Sequence, residues 1–192
     1  MQIGDGEKMK DKKPIFKIVI VGVFAALVFV SSMISIPIPV AIGSLTRIHL
    51  GNIFCLLSGF ILGPIGGGLA SGIGSALYDV TNPAYITSAP FTFVFKFALS
   101  FVCGLIAYSR GSAGKNIKKN ILAAALGSIT YIILHLGKSF IEGLLLGNAV
   151  GAVLPSIIMR LGTSSMNAVI AVAVSVPLAL VLRAALKKSD LL

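Results

Sequence analysis

Six charged side chains lie inside or beside long apolar segments of this sequence, where a charge is unfavourable: Arg47, Asp79, Lys96, Lys138, Glu142 and Arg160. A charged side chain at the centre of a membrane-spanning helix costs about 2.5–3.5 kcal/mol on insertion scales, so such residues usually face an interior cavity or pair with one another. Groups of this kind suit the binding of a polar ligand. We therefore expect them to converge on a polar pocket.

Helical spacing strengthens this expectation in two segments. One segment carries four polar side chains at positions i, i+4, i+7 and i+11, which fall on one helix face: Tyr131, His135, Lys138 and Glu142. The other carries Thr92 and Lys96, four residues apart, and holds no acid that could pair with the lysine. Lys96 is therefore the foremost candidate for a ligand contact.

The remaining candidates stand near the ends of apolar segments. We predict that the substrate-binding set also includes Arg47, Asn52, Asp79, Tyr85 and Asn167. Other roles remain open for several of these side chains. Lys138 and Glu142 can simply neutralise each other. Arg47 and Arg160 can contact lipid phosphate, and Asp79 can pair with Arg47 without touching a ligand.

Motifs for catalysis and energy coupling are missing from the sequence. Gly114-Lys115-Asn116 superficially resembles a phosphate-binding loop, but that motif requires Gly at position 109 and Ser or Thr at position 116. The chain has Ser109 and Asn116 there. Two histidines are too few for a histidine-rich metal site, and no nucleophile–base pair is evident. We expect no enzyme activity, no metal and no cofactor.

The elements that must position these groups follow from composition. The chain has 192 residues, of which 56% are hydrophobic and 11% charged, and its mean hydropathy is +1.00. Soluble domains carry about 25% charged residues. The sequence therefore predicts an all-α membrane protein, a single-domain bundle of six transmembrane helices. The predicted helices are 15–36, 48–62, 65–80, 90–108, 121–146 and 164–185.

The stretch from 47 to 80 is the most unusual of the apolar segments. Gly63-Pro64 divides it, which predicts two short helices that fold back on each other. Its second half is rich in glycine, which gives a smooth face for close helix packing in a membrane. We predict loops at 37–46, at 81–89 and between 147 and 163, where glycine, asparagine and proline cluster.

The basic residues indicate the orientation in the membrane. Twelve of the sixteen Lys and Arg residues fall in three clusters, at 8–17, 110–119 and 183–188. Six spans with both termini in the cytoplasm place every cluster inside, as the positive-inside rule requires. The expected organisation is a basic cytoplasmic tail at 1–14, the membrane domain at 15–187 and a short tail at 188–192. The net charge of +10 is thereby explained without a nucleic-acid partner.

In combination, these features resemble the S components of energy-coupling factor (ECF) transporters, in particular the riboflavin-type subgroup. The resemblance rests on the order and spacing of motifs at 46–52 (Thr-Arg-Ile-His-Leu-Gly-Asn), 62–67 (Leu-Gly-Pro-Ile-Gly-Gly), 78–79 (Tyr-Asp) and 89–92 (Ala-Pro-Phe-Thr), followed by Lys96. It implies a high-affinity binding subunit in the plasma membrane of a prokaryote. The implied ligand is a small water-soluble vitamin or related heterocycle, of the riboflavin, pyridoxine or thiamine-precursor class, captured at the extracellular side.

The resemblance also implies partners, namely a membrane coupling protein and two cytoplasmic ATPases. In this family the first helix contacts the coupling protein through an Ala-xxx-Ala face, and the first loop acts as a lid over the ligand. Gly22 and Ala26 stand at the corresponding place and are the expected docking residues. Two alternatives remain open: a stand-alone facilitator or ion-coupled carrier, and an intramembrane enzyme that uses His135, Glu142 or Asp79.

Overall fold

The computed structural model describes residues 5–42, 45–112 and 114–188, which form mostly long helices. The five helices are α1 (Asp5–Met33), α2 (Gly51–Thr81), α3 (Ala89–Tyr108), α4 (Ile117–Leu145) and α5 (Val150–Lys188). Two strands, β1 (Ser35–Ile38) and β2 (Thr46–His49), lie between α1 and α2. All five helices contain segments long and apolar enough to cross a membrane. The chain is therefore an all-α membrane protein.

Helix α2 reverses its direction at Gly63. This residue has φ 75° and ψ −170°, a conformation that glycine adopts readily and other residues rarely do. Ser58 Oγ and Ser71 Oγ lie 2.9 Å apart, although thirteen residues of straight helix would separate them by about 20 Å. The two halves, 51–62 and 64–81, therefore lie side by side, and the reversal falls at the Gly63-Pro64 step that the sequence indicated.

Small residues allow these halves and their neighbours to approach closely. A Cβ atom on Gly67 would lie 2.6 Å from Gly59 Cα, and one on Gly74 would lie 2.3 Å from the Ala25 carbonyl oxygen. Neither gap admits a larger residue. The core around the two halves of α2 is filled by fully buried apolar side chains, among them Val28, Leu56, Phe60, Leu99 and Cys103.

Two side chains cap the end of the first half of α2. The Phe60 carbonyl would normally accept from the amide four residues on, but that residue is Pro64, which has no N–H. Arg183 Nη2 donates to this carbonyl instead. Tyr108 Oη donates to the Ile61 carbonyl at 2.7 Å, and Arg183 in turn donates to Tyr108 Oη at 2.8 Å. Arg183 thus has a structural role beyond the topological one that its basic cluster indicated.

One predicted loop, 147–163, was wrong, and the other, 37–46, was right except at its ends, which lie in β1 and β2. Residues 147–163 belong largely to α5, which begins at Val150 and contains both Pro155 and Pro177. Pro155 stands near the start of the helix, where the loss of one backbone hydrogen bond is tolerated. The segment is helical rather than a loop because backbone at membrane depth needs internal hydrogen bonds. Residues 35–49 form an antiparallel hairpin in which Pro37 lies opposite Arg47. Proline can occupy such an edge strand.

The remaining boundaries shift by smaller amounts. Helix α1 begins at Asp5 and ends at Met33 rather than spanning 15–36, so most of the expected basic tail continues the helix. Helix α4 begins at Ile117 rather than at 121. The segment between α2 and α3 is a connection, as predicted, with one short 3-10 turn at Ile86–Ser88. Residues 1–4 and 189–192 lie outside the described residues.

Candidate ligand-binding site

A polar cavity lies where the β-hairpin meets the end of α2, the first half of α3, the second half of α4 and the middle of α5. Its volume is about 70 Å³. Nine of the eleven side chains predicted to bind substrate line it: Arg47, Asp79, Tyr85, Thr92, Lys96, Tyr131, His135, Lys138 and Asn167. The sequence positions that combine costly charge with helical spacing therefore do converge in space.

Lys96 is the most deeply buried cation of this cavity, with 2% of its surface exposed. Its ammonium group donates to Asn52 Oδ1 and lies 3.8 Å from the centroid of the Tyr131 ring, a cation–π arrangement. Both partners are neutral. Asn52 is itself 3% exposed and holds Lys96 from behind rather than forming part of the cavity wall.

Arg47 joins the hairpin to the helices. Its Nη2 lies 3.0 Å from Asp79 Oδ1, and its guanidinium carbon stands 4.0 Å from the Tyr78 ring centroid and 4.4 Å from that of Tyr85. Asp79 Oδ2 accepts from Thr92 Oγ1 at 2.5 Å. Nη1 of Arg47 is buried without a hydrogen-bond partner. The pairing of Arg47 with Asp79, left open by the sequence, is therefore present.

The polar stripe on α4 divides between two surfaces. The Tyr131 and His135 rings stack with centroids 5.5 Å apart and planes at 7°, and both line the cavity with Lys138. Lys138 Nζ lies 2.6 Å from Glu142 Oε2 and 3.2 Å from Ser88 Oγ. Glu142 lines an apolar groove between α3 and α4 instead of the polar cavity. Its role is thus to neutralise Lys138.

The hairpin is fastened to α5 by polar contacts. Asn167 Oδ1 accepts from the His49 amide at 3.0 Å, and Asn167 Nδ2 donates to the Arg47 carbonyl at 2.8 Å. Thr46 Oγ1 and Thr163 Oγ1 lie 2.9 Å apart. Arg160, only 3% exposed, donates to the Ile42 carbonyl at 3.3 Å. These residues position the hairpin over the cavity, so Arg160 does not lie at a lipid-facing surface.

His49 is the last residue of β2, is 7% exposed and is neutral. Burial lowers its pKa well below the usual value, and the nearby charges of Lys96 and Arg47 lower it further. Its Nδ1 accepts from the Gly51 amide at 3.1 Å, which also requires the neutral ring. The positive charge of the cavity is therefore carried by lysine and arginine rather than by this histidine.

Several residues of the cavity wall were not predicted from the sequence. They are Leu45, Thr46, Ser88, Phe91, Phe95, Ser139 and Ser164. Phe91 and Phe95 stand four apart and directly precede Thr92 and Lys96 in the sequence, so helical spacing could have found them. The hydroxyl groups carry no comparable signal, because serine and threonine also pack between membrane helices.

The size of the cavity limits what it can hold in this conformation. Pockets for small organic ligands measure about 300–1,000 Å³, whereas this cavity measures about 70 Å³. A vitamin-sized ligand can therefore enter only if the hairpin or the wall side chains move. Among the described residues there is no cluster of histidine, cysteine and acidic side chains that could hold a metal ion.

The expected docking residues lie away from this site. Gly22 and Ala26 are both exposed on α1, and a Cβ atom on Gly22 would meet nothing within 4 Å. Large apolar side chains surround them on the same exposed surface, including Val19, Val23 and Val30. This surface does not contribute to the cavity.

Comparison with known proteins identifies a matching family model, a related sequence and a solved structure of the same fold. The family model described as "ECF-type riboflavin transporter, S component" matches residues 12–185. An uncharacterised protein of Pyrococcus woesei, from the gap 3' region, is 31% identical over 116 residues, which cover 60% of this chain and 72% of that protein. A solved structure of the S component of a bacterial ECF transporter superposes with a TM-score of 0.64 at 18% identity, covering 89% of this chain and 97% of the other. At that identity the superposition shows a shared fold.

Proposed function

Because this chain belongs to the ECF-type riboflavin transporter S component family, we propose that it captures a small water-soluble vitamin or related heterocycle at the extracellular side. Riboflavin, pyridoxine and thiamine precursors are the candidate ligands. A membrane coupling protein and two cytoplasmic ATPases then drive delivery into the cell. The chain itself is a multi-pass protein of the prokaryotic plasma membrane and acts by binding rather than by catalysis.

The observation that carries this proposal is the cavity around Lys96. A buried lysine is energetically less favourable in a membrane protein than an apolar residue, so such a lysine usually has a function. Lys96 is 2% exposed. Here it faces a cavity whose other walls are aromatic rings and hydrogen-bonding groups. Such a wall suits a planar, polar heterocycle.

The extracellular location of the cavity follows from six crossings with both termini in the cytoplasm. The two halves of α2 count as two crossings in this arrangement. Arg183 contacts Tyr108, and Lys119 Nζ donates to the Ser109 carbonyl at 3.0 Å, so two basic clusters share one end of the molecule. The hairpin and the cavity lie at the other end. The positive-inside rule supports a cytoplasmic basic end.

Assembly with the coupling protein is assigned to the exposed face of α1 around Gly22 and Ala26. Small residues allow a partner helix to approach closely in a membrane. A Cβ atom at Gly22 would meet nothing within 4 Å and Ala26 is exposed, so this face is open to another protein.

Binding and uptake assays test the proposal. The purified full-length protein should bind at least one of riboflavin, pyridoxine and thiamine precursors, measured by thermal stabilisation and by quenching of riboflavin fluorescence. Cells that express the chain with a coupling protein and its ATPases should accumulate the bound compound. Uptake that persists without those proteins would favour a stand-alone carrier, and an absence of binding to every member of the set would refute the proposed ligand class.

A further inference from the structure

We infer that the ligand is an organic anion whose carboxylate or phosphate group binds to Lys96 and Arg47. This inference rests on the proposed function, because it specifies the charge of the ligand in the same cavity. A riboflavin-type family by itself points to a neutral ring system, so the charge is an additional and separable property. It follows from the way in which the charged side chains of the cavity are already paired.

Lys96 is a buried cation without an anionic partner. Its ammonium group contacts the Asn52 amide oxygen and the face of Tyr131. Among the described side chains, no carboxylate lies within 4.0 Å of it, since the salt bridges there join Arg47 to Asp79 and Lys138 to Glu142. Buried charges are normally paired with an opposite charge. A ligand that brings a negative group supplies what the protein does not.

Arg47 offers a second donor to the same cavity. Its Nη2 is engaged by Asp79, whereas Nη1 is buried and has no acceptor. A guanidinium group presents several donors in a fixed plane that matches the oxygens of carboxylates and phosphates. One part of this group therefore remains unused, although Arg47 lines the cavity together with Lys96.

The acids of the site cannot take over this role. The charge of Asp79 is already paired with Arg47, and its other oxygen accepts from Thr92. Glu142 accepts from Lys138 and lines the neighbouring groove rather than the cavity. Neither carboxylate is available for Lys96. A cationic ligand would likewise find no unoccupied carboxylate among the described residues that line this cavity, so the arrangement favours anions over cations.

Matched pairs of compounds test the charge directly. The purified full-length protein is titrated with riboflavin and riboflavin 5′-phosphate, and with pyridoxine, pyridoxine 5′-phosphate and 4-pyridoxate. Inorganic phosphate alone serves as the reference for a simple ion. We expect the anionic member of at least one pair to bind at least tenfold more tightly than its neutral counterpart, and more tightly than inorganic phosphate.

Two variants locate the preference. Lys96→Met keeps the length of the side chain without its charge, and it should reduce the preference for the anion at least tenfold. Lys118→Met, an exposed lysine of the basic end, should leave the preference unchanged. The preference of the unaltered protein is measured without any substitution, so the inference stays testable even where Lys96→Met does not fold.

The outcomes separate this inference from the proposed function. If a neutral compound binds and neither pair shows at least tenfold tighter binding of the anion, the inference is overturned and the proposed function stands. Inorganic phosphate that binds as well as the organic anions would also overturn it, because the site would then hold an adventitious ion only. If no compound binds, both fail together.

Discussion

Replacement of Arg183 by methionine should destabilise the reversal of α2. This variant keeps an unbranched side chain of similar length but removes the guanidinium group that donates to the Phe60 carbonyl and to Tyr108 Oη at 2.8 Å. The carbonyl cannot return to a helical bond, because the residue four positions on is Pro64. The last turn of the first half of α2 would then lose its cap.

The magnitude follows from the contacts that are lost. A hydrogen bond from a charged donor is worth about 1.5–3 kcal/mol. We therefore expect Arg183→Met to lower the free energy of unfolding by about 1.5–3 kcal/mol. In a chain of this size, 1 kcal/mol corresponds to about 2–4 °C in Tm, so the midpoint should fall by roughly 3–12 °C.

Tyr108→Phe provides the partner variant. It removes the hydroxyl that donates to the Ile61 carbonyl at 2.7 Å and accepts from Arg183. Hydrogen bonds in membrane proteins average about 0.6 kcal/mol, so the single loss should be smaller than that of Arg183→Met. Because the two side chains share a hydrogen bond, the double variant should lose less than the sum of the single variants.

Thermal unfolding of the purified protein in detergent measures these changes. Lys118→Met serves as the control, because it removes a positive charge from the same end of the molecule at an exposed position. If Arg183→Met melts within 1 °C of the unaltered protein, or if Lys118→Met is equally destabilising, the capping role is wrong. Arg183 would then contribute only to orientation in the membrane.

Three further predictions concern docking, the hairpin and pH. Gly22→Leu should leave folding and ligand binding intact, because the position is exposed and a Cβ atom there meets nothing within 4 Å, but should abolish co-purification with the coupling protein. Gly67→Leu, at a closely packed site, should instead prevent folding. Asn167→Ala removes both hydrogen bonds to the hairpin and should speed ligand release at least threefold in stopped-flow measurements. Burial lowers the pKa of His49, so protonation favours the unfolded state and Tm should fall as pH drops below about 6.5; His49→Gln should weaken this dependence.

Each of these predictions has a clear contrary result. Co-purification of the Gly22→Leu variant with the coupling protein would place the docking surface elsewhere on the chain. An unchanged release rate for Asn167→Ala would mean that the hairpin does not control access to the cavity. A pH dependence of Tm that is identical in the His49→Gln variant would assign it to other groups.

The sequence predicted which charged groups meet in the polar cavity better than it predicted the elements around them, and ligand binding by these groups stays a prediction. Lys96, Lys138 and Asp79 could be found because a charge in an apolar helix is unfavourable unless it faces a polar cavity or pairs with another charge. Helical spacing then shows which charged residues share one face of a helix. The reversal at Gly63 could be found because glycine followed by proline interrupts a helix in a recognisable way. These signals are local, so they can be read without knowledge of the fold.

The features that the sequence did not predict depend on contacts between residues that are far apart in the chain. The hairpin contains prolines and has strands of only four residues, and its position depends on Asn167 and Thr163 of α5, more than a hundred residues away. Asn167 lines the cavity as predicted, but the sequence did not indicate its hydrogen bonds to the hairpin backbone. The capping role of Arg183 depends likewise on carbonyl groups of another helix. A sequence pattern indicates which polar groups need a hydrogen-bond or charge partner, but it does not indicate which residue supplies that partner.

The short first half of α2 has a consequence for permeation. Residues 51–62 extend for about 18 Å at 1.5 Å per residue, from Asn52 behind Lys96 toward the basic end. Three large apolar side chains of this half, Leu56, Leu57 and Phe60, are at most 2% exposed and pack between the polar cavity and the basic end. For a solute beside Lys96 to reach the other side of the membrane, either this packed layer would have to separate or the protein would have to move relative to the membrane.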